Sequence, residues 1–401
     1  MFESLRKRAL EIPVLRRPWA RYRAGQALRR YQAWARKYGR IADERRLVYT
    51  KETAARDIRN HMRHKSIVPK RTGQLNSVIF IIKADWGAGV VNELAKLGDV
   101  NVFDYKERGF TMPYRKLQGH LQELNRQMLD FVMKAHERKP VDWILFTHTG
   151  GYIFVDTIRR IREQLGIPIV NQWFDCKQNF EGGAGVNGQD IGQSDIAPEF
   201  DAVWTSSRSV CEWYMAIGAR PIFLPPGFSP AYTPRADCEK KSDIGFFGQC
   251  YGTRPDYITT LKRAGLSVSV GGYGWRDFPA IAPCDISKFI ASCKVNLGIS
   301  GVGYSMDLVT LKGRDFEVPG SGGVYLATYN PDLEPLFDIG KEIFCYRSMA
   351  EMIDLARMLV YDEALRESAA ENGYRRAIKE HRWLHRFKEL LKILGLIKED
   401  E

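Results

Sequence analysis

The sequence predicts an α/β protein with two doubly wound parallel sheets, each in a domain of its own. Short apolar runs, typical of strands buried on both faces, alternate with helix-like segments over residues 77–224 and again over 242–299. Residues 225–234 separate the two series and contain four prolines, which neither a sheet nor a helix accommodates. A length of 401 residues fits two such domains and an additional segment.

In the first domain, strands are predicted at residues 77–82, 100–104, 141–146, 167–173, 200–204 and 220–224, with helices at 114–137 and 156–165. Parallel sheets bind ligands at the carboxyl ends of their strands. The loop Gly87–Gly89 and the side chains of Asp85, His148 and Asp175 lie at such ends. These three side chains are the candidate catalytic bases, by position alone, since a histidine there is commonly structural and an aspartate commonly caps a helix.

In the second domain, strands are predicted at residues 242–248, 266–270 and 295–299, with helices at 255–265 and 286–293. The most informative segment follows at 314–323, where Glu317 precedes three glycines and a buried apolar run. A carboxylate can accept hydrogen bonds from ribose hydroxyls, and bare backbone amides can face phosphate. The alternative is a tight turn that leads into a core strand.

The segment around Glu317, with residues 331–337 and the helical tail to residue 393, resembles the C-terminal signature of the CgeB-like glycosyltransferases. The resemblance is good over residues 240–393, holds only in outline over 76–230 and does not include the first 75 residues. It implies the GT-B fold, in which two Rossmann-like domains face a cleft. It also implies transfer of a sugar from a nucleotide diphosphate donor, expected to be a UDP-sugar, to a hydroxyl group.

Read residue by residue, the resemblance implies that the second domain holds the donor. The implied donor residues are Glu317, Arg314, Arg254, Gly248, Gly320, Gly322, Gly323 and Trp275. Glu317 would hold the ribose, and the planar, permanently charged guanidinium groups of Arg314 and Arg254 suit a diphosphate. Trp275 or Tyr273 would stack on the base. No metal site and no cofactor beyond the nucleotide sugar are expected.

Two positions depart from the pattern of retaining GT-B enzymes. Val309 stands where many of them carry a second glutamate, and Asp307 is the nearest carboxylate. Phe174 stands where a histidine is common in the first domain. The resemblance therefore leaves open whether the configuration at the sugar is retained or inverted.

The excess positive charge lies at the N-terminus. Residues 1–75 contain 21 Lys and Arg against six Asp and Glu, although the whole chain has a net charge of only +12. If residues 19–37 form a helix, an apolar side carrying Ala20, Ala24, Ala27, Leu28, Tyr31, Trp34 and Ala35 opposes an arginine-rich side. Such a helix suits an anionic membrane surface. Packing against its own domain and binding of nucleic acid are the alternatives.

Composition limits the cellular setting. Seven cysteines without paired spacing indicate a reducing compartment, and neither a membrane-spanning run nor a secretory signal is present. The sequence thus predicts a cytoplasmic protein, bound through residues 1–40 to the inner face of the membrane. Its domains would be a basic helical arm (1–75), an acceptor-side domain (76–225), a donor domain (236–378) and a C-terminal helix (379–401).

The predicted activity is glycosyl transfer to an envelope glycan or a lipid-linked acceptor. Two other functions fit the same features. One is a glycosyltransferase that modifies nucleic acid, which would use the basic arm on phosphates. The other is a non-catalytic assembly factor that binds a nucleotide sugar without turnover.

Overall fold

The computed structural model consists of two compact units, each built on one parallel sheet. It describes residues 13–69, 73–81, 86–275, 281–282, 285–302, 304–305 and 307–398. The six-stranded unit comprises Trp34–Ser229 and the chain from Arg382 onward. The five-stranded unit comprises the chain up to Ala33 and Pro230–His381. Two doubly wound α/β sheets are what the sequence predicted.

Helix α1 (Pro13–Glu44) contributes residues to both units. The six-stranded unit continues with α2 (Lys51–His64), β1 (Leu75–Ile81), α3 (Trp86–Leu94), β2 (Gly98–Asp104), α4 (Tyr114–Leu117), α5 (Leu121–Arg138), β3 (Trp143–Phe146), α6 (Val155–Leu165), β4 (Ile169–Gln172), α7 (Cys176–Asn179), β5 (Ala202–Thr205), α8 (Cys211–Ala216) and β6 (Pro221–Phe223). The strands are parallel in the order β2-β1-β3-β4-β5-β6. The order therefore reverses between β1 and β3.

The five-stranded unit contains β7 (Ser242–Phe247), α9 (Arg254–Arg263), β8 (Val268–Gly271), α10 (Ile286–Ala291), β9 (Cys293–Gly298), α11 (Arg314–Gly320), β10 (Tyr325–Thr328), β11 (Phe344–Tyr346), α12 (Met349–Tyr361) and α13 (Glu363–Glu380). Its parallel strands follow the order β11-β10-β9-β7-β8. The order reverses between β7 and β9, so both sheets are doubly wound. Apolar side chains of the strands and of α9 and α12 form its core.

Helix α14 (Trp383–Ile393) returns to the six-stranded unit. Its side chains Trp383, Phe387 and Leu390 belong to the same apolar cluster as Trp143 and Trp204 of the sheet. The segment that the sequence set apart as a C-terminal helix thus completes the core of the six-stranded unit.

The described part of the N-terminal arm is not a separate region. On α1, Ala20 and Ala27 are buried in the five-stranded unit, whereas Trp34, Tyr38 and Ala42 are buried in the six-stranded unit. The apolar face that the sequence assigned to membrane insertion is therefore occupied by the protein itself, as the self-packing alternative predicted. Among the described residues, no helix combines the length and apolarity needed to cross a bilayer.

Candidate functional site

The carboxyl ends of β7 and β9 form the ligand-binding edge of the five-stranded sheet. The strand order reverses between these neighbours, and parallel sheets bind ligands in the crevice at such a reversal. The glycine loop 248–253 connects β7 to α9, and Ile299 and Ser300 follow β9. A nucleotide held by this unit would lie against these segments.

Arg314 lies across this edge. Its Nη1 donates to the carbonyl oxygen of Phe247 at 3.0 Å, and its Nη2 donates to that of Ile299 at 3.1 Å. One side chain thus connects the carboxyl ends of β7 and β9 by hydrogen bonds. Its Nε is buried and has no hydrogen-bond partner among the described residues. A buried, unsatisfied N–H is costly in a folded protein, so a ligand oxygen would be favourable here.

Arg254 reaches the same point from the first residue of α9. Its Nη1 donates to the carbonyl oxygen of Gln249 at 2.8 Å, and the side chain is only 6% exposed. A Cβ on Gly248 would lie 2.7 Å from Nη1 of Arg314 and 3.5 Å from Nη1 of Arg254. The two guanidinium groups therefore converge on Gly248, whose φ of 151° favours glycine. The structure brings together three residues that the sequence assigned to the donor.

Glu317 lies one turn after Arg314 on α11. Its carboxylate has no hydrogen-bond partner in the described part of the chain, whereas the neighbouring carboxylate of Asp315 accepts from the Tyr325 hydroxyl at 2.6 Å and the Lys312 amide at 2.7 Å. Burial raises the pKa of Glu317 to about 7, against the opposing influence of Arg314. Such a carboxylate gains from hydroxyl donors, which stabilise its charged form. Ribose hydroxyls are donors of this kind.

Trp275 fixes the glycine loop. Its indole N–H donates to the carbonyl oxygen of Gly248 at 2.8 Å, and its ring lies 6.1 Å from that of Phe246. The neighbouring Tyr273 is 76% exposed. Stacking of either ring on a base stays a prediction, and the contacts give Trp275 a part in holding Gly248 in place.

The glycines after Glu317 do not form the predicted phosphate cradle. The amide of Gly322 donates to the carbonyl oxygen of Pro319 at 2.8 Å, and the amide of Gly323 donates to that of Val318 at 2.9 Å. Both hydrogen bonds lie in the turn that ends α11. This is the carboxyl end of a helix, where the partial charge is negative and repels an anion. Gly320 is the buried last residue of α11. Phosphate binding by the amides of Gly322 and Gly323 is therefore wrong, and the tight-turn alternative describes this segment.

Two hydroxyl groups at the ligand-binding edge of the five-stranded sheet were not identified from the sequence. Ser300 and Thr310 are buried, and their hydroxyl oxygens have no hydrogen-bond partner among the described residues. The Thr310 amide donates to the Ser300 carbonyl at 3.3 Å, so the two residues are neighbours. Ser300 follows a predicted strand, but only the strand order places that strand beside β7. Nothing in the sequence distinguishes Thr310.

His148 is a buried structural residue, so its assignment as a catalytic base is wrong. It is 2% exposed, and burial lowers its pKa to about 3. Its Nδ1 accepts from the Thr147 amide at 3.0 Å, and its Nε2 is hydrogen-bonded to the Tyr105 hydroxyl. Both ring nitrogens are thus occupied, and the neutral ring holds the carboxyl end of β3 in place.

Of the other two candidate bases, one is described. Asp175 is partly buried just before α7, and its side chain does not cap that helix. It stays a candidate by position. Asp85 lies outside the described residues. Gly87–Gly89, predicted as a loop, lie in the first turns of α3.

Comparisons with known proteins agree with this architecture. Residues 254–392 match a protein family described as glycosyl transferase-like. Sucrose-phosphate synthase from Thermosynechococcus elongatus superimposes with a TM-score of 0.57 at 11% identity, over 80% of this chain and 99% of that one. HepE of Anabaena, in complex with UDP and glucose, gives 0.54 at 13% identity, over 80% and 100%. The chain has the GT-B fold.

A glycosyltransferase from Rickettsia africae shares the GT-B fold, with a TM-score of 0.57 at 8% identity over 82% of this chain and all of its own. No curated protein matches the sequence. The family match and the GT-B fold together support a glycosyltransferase, and the narrower CgeB-like resemblance stays a prediction.

The two departures noted in the sequence have structural explanations within the GT-B fold. Val309 forms an isolated bridge with Gly301, which closes the loop after β9, and Asp307 is exposed in that loop. Phe174 stacks on Trp383 with ring centroids 6.3 Å apart, beside the core of the six-stranded unit. Val309 thus closes a loop through its backbone, and Phe174 contributes to packing.

Proposed function

We propose that this protein transfers a sugar from a UDP-sugar to a hydroxyl group of an acceptor. The observation that carries the proposal is the convergence of Arg254 and Arg314 on Gly248 at the reversal of the five-stranded sheet. The carboxylate of Glu317, which has no hydrogen-bond partner among the residues that the structure describes, lies one turn further along α11. Two cations and a hydroxyl acceptor match a nucleoside diphosphate, and HepE, which shares the fold, is described with UDP.

The chemistry follows from where charge develops. When the bond between the sugar and the diphosphate breaks, negative charge grows on the phosphate oxygens that leave. The guanidinium groups of Arg254 and Arg314 are fixed in place before the reaction, so they can stabilise this charge without reorganising. We propose that they do so without a divalent cation. Glu317 would bind the ribose and so keep the diphosphate beside the two arginines.

We assign the acceptor to the six-stranded unit. A cavity of about 720 Å³ lies in this unit. Side-chain amides and carboxylates line it beside apolar groups, and none of the side chains described in its lining is a lysine or an arginine: Gln118, Gln122, Asn187, Gln189, Asp156, Asp195, Leu121, Phe154, Val155 and Val186. Amides and carboxylates suit the hydroxyls of a glycan, and a phosphate-rich nucleic acid would require cations. The lining favours a glycan over nucleic acid.

We further propose that α1 holds the enzyme at an anionic membrane surface on the cytoplasmic side, where a lipid-linked acceptor would be found. Among the side chains of α1 that the structure describes, the exposed basic ones are Arg21, Arg23, Arg29, Arg30, Arg36, Lys37 and Arg40. Each basic residue near anionic lipid contributes about 1 kcal/mol. Because the apolar face of α1 is buried in the protein, we expect attraction by charge and not insertion.

Liposome co-sedimentation tests this attachment. The protein should bind vesicles containing phosphatidylserine, fail to bind neutral vesicles and dissociate at high salt, because exposed charges are screened. Changing Arg29 and Arg36 together to Glu should abolish binding. Changing Lys262 and Arg263 to Glu, at the exposed end of α9, serves as the matched control and should leave much of the binding. If both double variants lose liposome binding equally, the attraction depends on net charge alone, which would contradict a specific role for α1.

Release of UDP from a panel of UDP-sugars, measured with the full chain, tests the proposed activity. We expect slow hydrolysis of one donor without acceptor, faster release when a glycan acceptor is added, and no loss of rate with a chelator. Binding of UDP without turnover on any donor would favour the non-catalytic assembly factor. Absence of UDP binding would contradict the donor site itself.

A further inference from the structure

A continuous row of aromatic and guanidinium groups in contact connects the donor loop to α1 within the five-stranded unit. The guanidinium of Arg254 lies over the Tyr251 ring at 4.1 Å. The Tyr251 ring meets that of Tyr304 at 5.7 Å, and Tyr304 meets Trp19 of α1 at 5.3 Å, both edge to face. The guanidinium of Arg23 lies 5.5 Å from the Trp19 ring. We call Tyr251, Tyr304 and Trp19 the aromatic row.

The middle member of the row has an unusual backbone. Tyr304 has a φ of 67°, a left-handed conformation that a bulky residue adopts only when its surroundings impose it. On one side its ring is held by Trp19 and Tyr251. On another, it packs so closely on Gly252 that a Cβ there would lie 3.1 Å from it. Tyr304 therefore transmits the position of α1 to the loop that carries Tyr251.

Helix α1 is anchored beside this row by apolar contacts. Ala27, with Leu28 and Tyr31 next to it, packs on Val302 and Leu308 of the loop after β9. That loop is closed by the Val302 amide, which donates to the Leu308 carbonyl at 2.9 Å. The first half of α1 thus holds both the Tyr304 loop and, through it, the donor loop.

We propose that the aromatic row positions Arg254 for the diphosphate, which makes α1 a part of the donor site. This inference rests on the proposed function. An arginine side chain has many rotamers, and fixing one before binding removes an entropic cost from the bound state. The ring of Tyr251 packs against the guanidinium, and Tyr304 and Trp19 hold that ring. Trp19, Tyr304 and Tyr251 are therefore positioning residues.

A double-mutant cycle on UDP affinity tests the proposal, using calorimetry on the full chain. We expect Trp19→Ala to weaken UDP binding about fivefold to tenfold in the native background. In an Arg254→Ala background the same change should have no further effect, because the group that the row positions is gone. Tyr22→Ala is the matched control: Tyr22 is on the same helix and 58% exposed, and its removal should leave affinity unchanged.

Tyr251 provides a second test that does not depend on α1 remaining folded. Tyr251→Phe keeps the ring beneath Arg254 and should retain UDP affinity, whereas Tyr251→Leu keeps the bulk but loses the face of the ring and should weaken it. Equal affinity in these two variants would overturn the proposal. Equal loss from Trp19→Ala with and without Arg254 would do so as well, because it would show general destabilisation.

The failures of the two proposals can be told apart. If UDP binding is weakened by Arg254→Ala but not by Trp19→Ala or Tyr251→Leu, the donor site stands and the role of the aromatic row is refuted. If the native chain does not bind UDP, the proposed function fails first, and the inference falls with it.

Discussion

Replacement of Arg254 by alanine is expected to lower turnover of the UDP-sugar about 10²- to 10³-fold. Loss of one pre-positioned group that stabilises transition-state charge has effects of this size. The expected loss of UDP affinity is smaller, since the charge on the leaving diphosphate is greatest in the transition state. Steady-state kinetics on the preferred donor, combined with UDP calorimetry, separates the two effects.

Arg263→Ala is the matched control, because Arg263 is an exposed arginine at the other end of the same helix. It should match the native protein in turnover and melting temperature. Native turnover in Arg254→Ala would refute the diphosphate assignment. Arg314→Ala is a poorer probe, because its loss would also leave the carbonyl oxygens of Phe247 and Ile299 without their donor and destabilise the fold.

Glu317→Gln is expected to weaken UDP-sugar binding by roughly 1.5–3 kcal/mol above pH 8, or about 10- to 150-fold. A neutral amide replaces a charged acceptor of the ribose hydroxyls. In the native protein the pKa of Glu317 is about 7, and hydroxyl donors would lower it. Binding should therefore release a proton, and affinity should rise from pH 5.5 to about 7 and level off above. Calorimetry in buffers of different ionisation enthalpy measures the release.

The stability of the free protein should change in the opposite direction. The pKa of Glu317 is raised on folding, from an ordinary 4.5 to about 7, so the folded state binds more protons and the ionised group destabilises it above pH 7. Glu317→Gln should thus melt no lower than the native protein at pH 8. Glu367→Gln, at an exposed glutamate of α13, is the control and should leave the pH dependence of binding unchanged. A pH-independent affinity in the native protein would contradict the ribose assignment.

Much of the fold could be predicted because buried parallel strands leave a clear pattern. The run at residues 77–82 is apolar without alternation after Ser77, and its described part belongs to β1. Short or weak patterns were harder. The predicted helix at 114–137 is interrupted by a 3-10 turn at Gln118–His120. Helix α2 lies in the arm that was predicted to be helical, but its few buried residues, Ala54, Ile58 and Met62, form no clear apolar stripe in the sequence, so its packing was not predicted.

Residues of the candidate site could be predicted only where the chemistry of the side chain itself indicates what it binds. Arg314 and Glu317 lie one turn apart on α11, whereas Arg254 comes from a distant segment. The family resemblance implied all three, and a carboxylate with guanidinium groups suits a nucleotide. The role of a histidine or of a backbone amide depends on its contacts. His148 became structural because Thr147 and Tyr105 occupy its nitrogens. The aromatic row could not be predicted, because its members are far apart in sequence and each one resembles an ordinary core residue.

The return of α14 to the six-stranded unit has a consequence for biosynthesis. During translation, the strands of that unit emerge first, but Trp383, Phe387 and Leu390 emerge only after the whole five-stranded unit. The six-stranded unit therefore cannot finish packing until the ribosome has passed Leu396, the last fully buried member of its apolar cluster. Until then its unfinished apolar surface is open to chaperones. A nascent chain that stops before Trp383 would become a substrate for proteases even with every sheet strand already made.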